Sequence, residues 1–286
     1  MEPGFQPVDP QRGTGKSSES KEADADNGRR RGRRAVPFRL IAPNLVTVLA
    51  LCAGLTSVRM AIEGRMELAV YLVILAAILD AIDGRLARFL KGASRFGAEL
   101  DSLADFVNFG VAPAILLFMW DLQEFRSAGW IASLVFAISA GLRLARFNAA
   151  LDDPKKETWQ LNYFTGVPAP AGAIVGLLPI YLSFLGVPQT EVFQIAVIIF
   201  VPFIGLLMVS NIPTYSGKLV GASIRPDLVF PIIITAVGAV ALLATFTWTF
   251  LTVMSLIYLA VIPFGWMSYR KKMRESATAH QDDQDL

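Results

Sequence analysis

Residues 79–110 read LDAIDGRLARFLKGASRFGAELDSLADFVNFG. Two apolar segments of membrane-spanning length meet here, and between them they carry Asp80, Asp83, Asp101 and Asp105. An ionised group is costly in hydrocarbon. A central Asp costs roughly 2.5–3.5 kcal/mol on insertion scales, so four would cost on the order of 10 kcal/mol. A bound divalent cation is the simplest compensation for clustered carboxylates. Asp80 and Asp83 are three apart and share one helix face; Asp101 and Asp105 are four apart and share a face of the next helix. Two antiparallel helices with a short connection bring both pairs to one point. Gly84, Ala87 and Gly97 are small and let a ligand or a neighbouring helix approach the backbone. Four hard oxygen donors suit Mg²⁺ or Mn²⁺ better than zinc or copper. Neutralisation by Arg85, Arg88 or Arg95 is the plainer alternative, and the doubled spacing argues against it.

The surrounding composition places this stretch in a membrane protein. Hydrophobic residues make up 54% of the 286 and charged residues only 17%, which argues against a soluble fold. Apolar segments of spanning length fall at roughly 40–62, 66–88, 98–120, 128–149, 167–186, 192–210, 228–247 and 249–268. The expected fold is an all-α polytopic bundle of about eight transmembrane helices. The weakest separation is the short turn at Thr247–Thr249.

Charge placement supports an even number of spans. Arg29, Arg30, Arg31, Arg33, Arg34 and Arg39 precede the first, and Arg270, Lys271, Lys272 and Arg274 follow the last. The positive-inside rule then puts both termini in the cytoplasm. Lys91, Arg95, Lys155, Lys156, Lys218 and Arg225 fall on the same side, and so does the aspartate cluster. The expected location is the inner (cytoplasmic) membrane. Residues 1–36 read as a disordered basic tail, 37–270 as the membrane domain and 271–286 as a second unstructured tail. Beside a first span, the basic run reads as a contact for anionic membrane lipids, and no nucleic-acid partner is expected.

The remaining polar residues narrow the chemistry. His280 is the only histidine and lies in the C-terminal tail, and Cys52 is the only cysteine. Acid–base work therefore falls to carboxylates, Lys or Tyr, and no internal disulfide can form. Asn44 and Thr47 open the first span on one helix face, as helix caps or as ligand contacts. Arg143 and Arg146 are three apart at the end of the fourth span. They read as an anion site for a phosphate or a carboxylate, with interfacial snorkelling as the alternative.

The run Asp80-x-x-Asp83-Gly84-x-x-Ala87-Arg88, then eight residues, then Gly97-x-x-x-Asp101-x-x-x-Asp105 resembles the signature of the CDP-alcohol phosphatidyltransferase family, with no departure. Pro43-Asn44-x-x-Thr47 is similar to the start of the family's first span. RLARFN (143–148), FGVAPA (109–114), NYFTGVPAP (162–170) and MVSNIPTYSGK (208–218) resemble its serine-using branch. The resemblance covers roughly residues 40–225, and only hydropathy matches the last two spans. It implies a homodimeric enzyme that takes CDP-diacylglycerol and L-serine and releases CMP. It implies two ions, Mg²⁺ or Mn²⁺, held by Asp80, Asp83, Asp101 and Asp105, with Asp105 also the general base. Gly84, Ala87, Arg88, Gly97, Asn44 and Thr47 would bind CDP-diacylglycerol, and Arg143 and Arg146 would serve the acceptor or a phosphate. Siblings that use glycerol phosphate, inositol phosphate or choline share every core aspartate. A non-enzymatic cation carrier would not require the full spacing.

Overall fold

The computed structural model describes residues 38–92, 94–149, 163–215 and 226–282. Its apolar stretches are helical, the one open-ended form in which a chain satisfies its backbone N–H and C=O groups without water. Helix α1 (Phe38–Ile62) turns back through Gly64 into α2 (Met66–Phe89), and these two form the most extensive helix pair of the bundle. The chain reverses again at Lys91. Helix α3 (Arg95–Phe106) is capped by Ser94, whose Oγ accepts a hydrogen bond from the Gly97 N–H at 3.0 Å. A π-helical turn (Val107–Val111) joins α3 to α4 (Ala112–Trp120). Pro113 has no N–H with which to continue an α-helical ladder, and the π turn sits just ahead of it.

A 3₁₀ turn (Leu122–Phe125) leads to α5 (Arg126–Ala149). Strand β1 (Tyr163–Thr165) pairs antiparallel with β2 (Pro213–Tyr215), with Phe164 opposite Thr214. Between the strands run α6 (Ala169–Gly176), α7 (Leu178–Phe184) and α8 (Glu191–Val209). Helices α6 and α7 are one apolar unit broken at Leu177, with Pro179 in the first turn of α7. Helices α9 (Pro226–Thr245) and α10 (Thr247–Asp282) complete the chain.

The core lies where α5 packs on α8, around Phe136, Leu177, Ile180, Val201 and Ile204, all buried. At the end of the bundle away from the aspartates, Trp248 meets Tyr71 and Phe184 with ring centroids 5.1 and 4.5 Å apart. Helix α9 packs only loosely, and its apolar side chains from Val229 to Leu242 are largely exposed. That exposure is expected of a helix whose solvent is lipid.

The eight expected segments are all helical, to within a few residues. Among the described residues, five helical segments are long and apolar enough to cross a membrane: Ile41–Ile62, Arg95–Trp120, Leu122–Ala149, Glu191–Val209 and Thr247–Arg270. Ala169–Phe184 and Val229–Thr245 are apolar but shorter. Helix α2 has the length, but it carries Glu67, Asp80, Asp83, Arg85 and Arg88. The turn between the last two helices falls at Phe246, just ahead of the expected position.

The C-terminal tail departs from expectation. Helix α10 continues to Asp282, whereas 271–286 was expected to be unstructured. Its sequence there, KKMRESATAHQD, contains neither Gly nor Pro and is rich in residues with good helix propensity, so a helix already formed can propagate through it. The basic N-terminal tail and Lys155, Lys156, Lys218 and Arg225 lie outside the described residues.

Candidate active site

The site forms where the C-terminal parts of α2 and α5 meet the N-terminal part of α1 and the length of α3. The antiparallel α2–α3 connection brings three of the four expected aspartates together, with Asp83 outside the group. One carboxylate oxygen each from Asp80, Asp101 and Asp105 lies within 4.8 Å of the other two. Asp83 is 3% exposed and lines the same cleft wall as Thr47 of α1. The Thr47 hydroxyl donates its one proton to the Pro43 carbonyl at 3.2 Å, one turn earlier in the same helix.

The donor set suits a divalent cation. Asp83 Oδ2 and Asp105 Oδ1 are buried and have no hydrogen-bond partner. Leaving a buried carboxylate oxygen unsatisfied costs free energy that a coordinated cation removes. Among the described residues, Arg85, Arg88 and Arg95 form no ion pair with the cluster. Arg88 folds back on its own helix and donates Nε–H to the Gly84 carbonyl at 3.1 Å. The arginine-neutralised alternative is therefore not what the structure forms.

Beside the aspartates, a cleft of about 180 Å³ is lined by Asn44, Thr47, Asp83, Gly84, Ala87, Gly97 and Asp101, among others. All the residues expected at the nucleotide except Arg88 line it. The two glycines differ in what they do. Gly84 faces open space, and a Cβ there would meet nothing. Gly97 is packed, and a Cβ there would come within 2.6 Å of Asn44 Oδ1. Gly97 therefore brings α3 against α1, while Gly84 leaves the floor of the cleft clear.

The two arginines do not converge, although their spacing suggested that they would. Arg143 is 8% exposed, sits 5.3 Å from the Phe147 ring centroid, and is close enough to Asp105 for their charges to attract. Arg146 points elsewhere. Its Nη1 donates to Asn211 Oδ1 at 2.8 Å, and its Nη2 donates to the carbonyls of Val209 and Ser210. Free carbonyls at the C-terminus of α8 attract a cation more strongly than i, i+3 periodicity can predict.

One polar residue escaped the sequence reading. Asn108, one turn beyond Asp105 in the π turn, is wholly buried and has no partner for either side-chain atom. It lies against Gly54 of α1, where a Cβ would collide with Asn108 Oδ1. A lone Asn in the apolar run VNFGVAPA was the available signal.

A membrane-type helical bundle with a carboxylate cluster at one end defines the class, and the comparisons give it a family. The model described as CDP-alcohol phosphatidyltransferase matches residues 40–209, and one described as CDP-alcohol phosphatidyltransferase 2 matches residues 227–263. The chain belongs to the CDP-alcohol phosphatidyltransferase family.

Its relatives are more particular. It is 42% identical over 239 residues to a CDP-diacylglycerol–serine O-phosphatidyltransferase of Mycobacterium leprae, covering 83% of this chain and 78% of that protein. The protein of the same name from Mycobacterium bovis is 39% identical over 247 residues, 85% of this chain and 84% of its own. An archaetidylserine synthase of Methanothermobacter thermautotrophicus is 34% identical over 134 residues, 46% of this chain and 54% of that protein.

Proposed function

We propose that this protein is a phosphatidylserine synthase, transferring the phosphatidyl group of CDP-diacylglycerol to the hydroxyl of L-serine and releasing CMP. The observation that carries the reading is the carboxylate cluster of Asp80, Asp101 and Asp105 beside the cleft over Gly84, in a chain whose serine-using relatives align with most of its length. Asp80, Asp83, Asp101 and Asp105 would hold two divalent ions, Mg²⁺ or Mn²⁺. When bound, such ions withdraw charge from the pyrophosphate and stabilise the leaving phosphate of CMP.

The chain's own residues do the rest. The cleft takes the cytidine and phosphates of CDP-diacylglycerol over Gly84 and Ala87, with Asn44 and Thr47 forming its α1 wall. Asp105 accepts the serine hydroxyl proton as the serine oxygen bonds to phosphorus and the bond from phosphorus to the CMP oxygen breaks. Arg143, buried beside Asp105, is the cation placed to hold the serine carboxylate while its hydroxyl attacks. The acceptor therefore enters from the α5 side and the nucleotide from the α1 side, which suits in-line displacement.

The same reading places both termini and the aspartates on the cytoplasmic side of the inner membrane, with eight crossings and a homodimeric assembly. The test is an acceptor panel. Purified protein with CDP-diacylglycerol is given serine, glycerol phosphate, inositol phosphate or choline, and CMP release is measured. Serine alone should support turnover. Turnover with another acceptor and none with serine would move the protein to a sibling activity.

A further inference from the structure

Residues 143–148 lie in the last two turns of α5, and their polar side chains separate in three directions. Arg143 lies close enough to Asp105 for their charges to attract. Asn148 Nδ2 donates to Ser102 Oγ at 2.9 Å and ties the turn to α3, next to Asp101. Arg146 reaches across to the end of α8, where three acceptors take its guanidinium: Asn211 Oδ1, the Val209 carbonyl and the Ser210 carbonyl.

The backbone that Arg146 grips leads back to the site. The Ile212 carbonyl accepts from the Gly166 N–H at 2.9 Å, and the Leu207 carbonyl accepts from the Val167 N–H at 3.3 Å. Gly166 has φ 78° and sits so tightly on the Met208 carbonyl that a Cβ would collide with it. Two residues after Val167, α6 begins at Ala169, which packs with Phe109 and Leu144. Leu144 is the neighbour of Arg143, and Phe109 is one turn from Asp105. The connection runs from Arg146 to 209–212, to 166–169, and back to the wall behind Arg143 and Asp105.

We propose that Arg146 is a positioning residue for the acceptor side: it does not touch serine but locks the 207–212 segment, and through it α6, against the turn that presents Arg143. This rests on the serine reading above and refines it, because it gives the two arginines different tasks.

The test uses full-length protein and varies serine and CDP-diacylglycerol separately. Lysine has a single ammonium and cannot reproduce three planar guanidinium bonds. Arg146→Lys should raise the serine KM about tenfold, the equivalent of one charge-assisted hydrogen bond, with the CDP-diacylglycerol KM little changed. Asn211 is exposed and makes its side-chain bond to Arg146, so Asn211→Ala should fold and should raise the serine KM in the same direction. The double variant should be less than additive, because both changes break one latch. A serine KM unaltered by Asn211→Ala but lost in Arg146→Lys would make Arg146 a direct ligand and overturn the proposal. So would full additivity, or an effect confined to CDP-diacylglycerol. If wild-type protein shows no serine-dependent CMP release, the serine reading fails instead. The two failures are therefore distinct.

Discussion

Asp105 carries the heaviest demand of any single residue. It lies against Asp80 and near Arg143, and it keeps one buried oxygen without a partner. In the proposed reaction it must both help to hold a cation and take a proton. Asp105→Asn keeps the size of the side chain and loses the proton acceptor. Turnover should fall by about 10²–10⁴, the usual range for a general base, while CDP-diacylglycerol binding persists. Asp80→Asn should instead weaken metal binding, so that more Mg²⁺ or Mn²⁺ is needed for half-maximal rate. Steady-state kinetics across a metal titration separate the two. Near-normal turnover in Asp105→Asn would remove it from the chemistry. The convergence of Asp80, Asp101 and Asp105 was legible because helical periodicity translates spacing into shared faces. The divergence of Arg143 and Arg146 was not legible, because it depends on the end of α8, which is sixty residues away in sequence.

At the scale of elements, the end of the bundle away from the site holds a second polar contact. Gln194 of α8 donates Nε2–H to Asp121 Oδ1 at 2.8 Å and to Glu124 Oε2 at 3.0 Å, tying α8 to the connection between α4 and α5. Burial raises the Asp121 carboxyl above the ordinary value of 3.8, and Glu124 adds to this while the Gln194 hydrogen bond opposes it. A carboxyl raised in the folded state binds its proton more tightly there than in the unfolded chain. Its contribution to stability is therefore largest at low pH and is lost as pH rises from about 3.8 through the raised value. Asp121→Asn should flatten the fall in detergent-solubilised Tm over that interval relative to wild type. Identical slopes would remove Asp121 from the pH response. The sequence did not announce this contact, since Asp121, Glu124 and Gln194 sit at helix ends where polar residues are ordinary. Element identity was far more legible, because runs of about twenty apolar residues can only be helices in a membrane. Breaks inside those runs, such as Leu177 and the π turn, depend on local Pro placement and tertiary packing.

For the whole molecule, the account requires an even number of crossings and a site that opens to one side. Reporter fusions after Arg34 and after Gln281 should give the same cytoplasmic signal, whereas opposite signals would mean seven crossings. The aspartates of α2 and α3 lie toward the same end of the bundle as the last turn of α5, and the account makes that end the reactive one. The opposite end holds the Trp248 aromatic contacts and the Asp121–Gln194 link. Chelation should abolish turnover, and Mg²⁺ or Mn²⁺ should restore it; full activity in metal-stripped membranes would contradict the role given to the carboxylate cluster.

The most direct measurement follows both products at once, using purified protein, CDP-diacylglycerol and isotopically labelled L-serine with Mg²⁺ or Mn²⁺. The account predicts one labelled phosphatidylserine for each CMP released, with neither product formed when serine is omitted. CMP release that proceeds without serine, or a lipid product without the label, would contradict it.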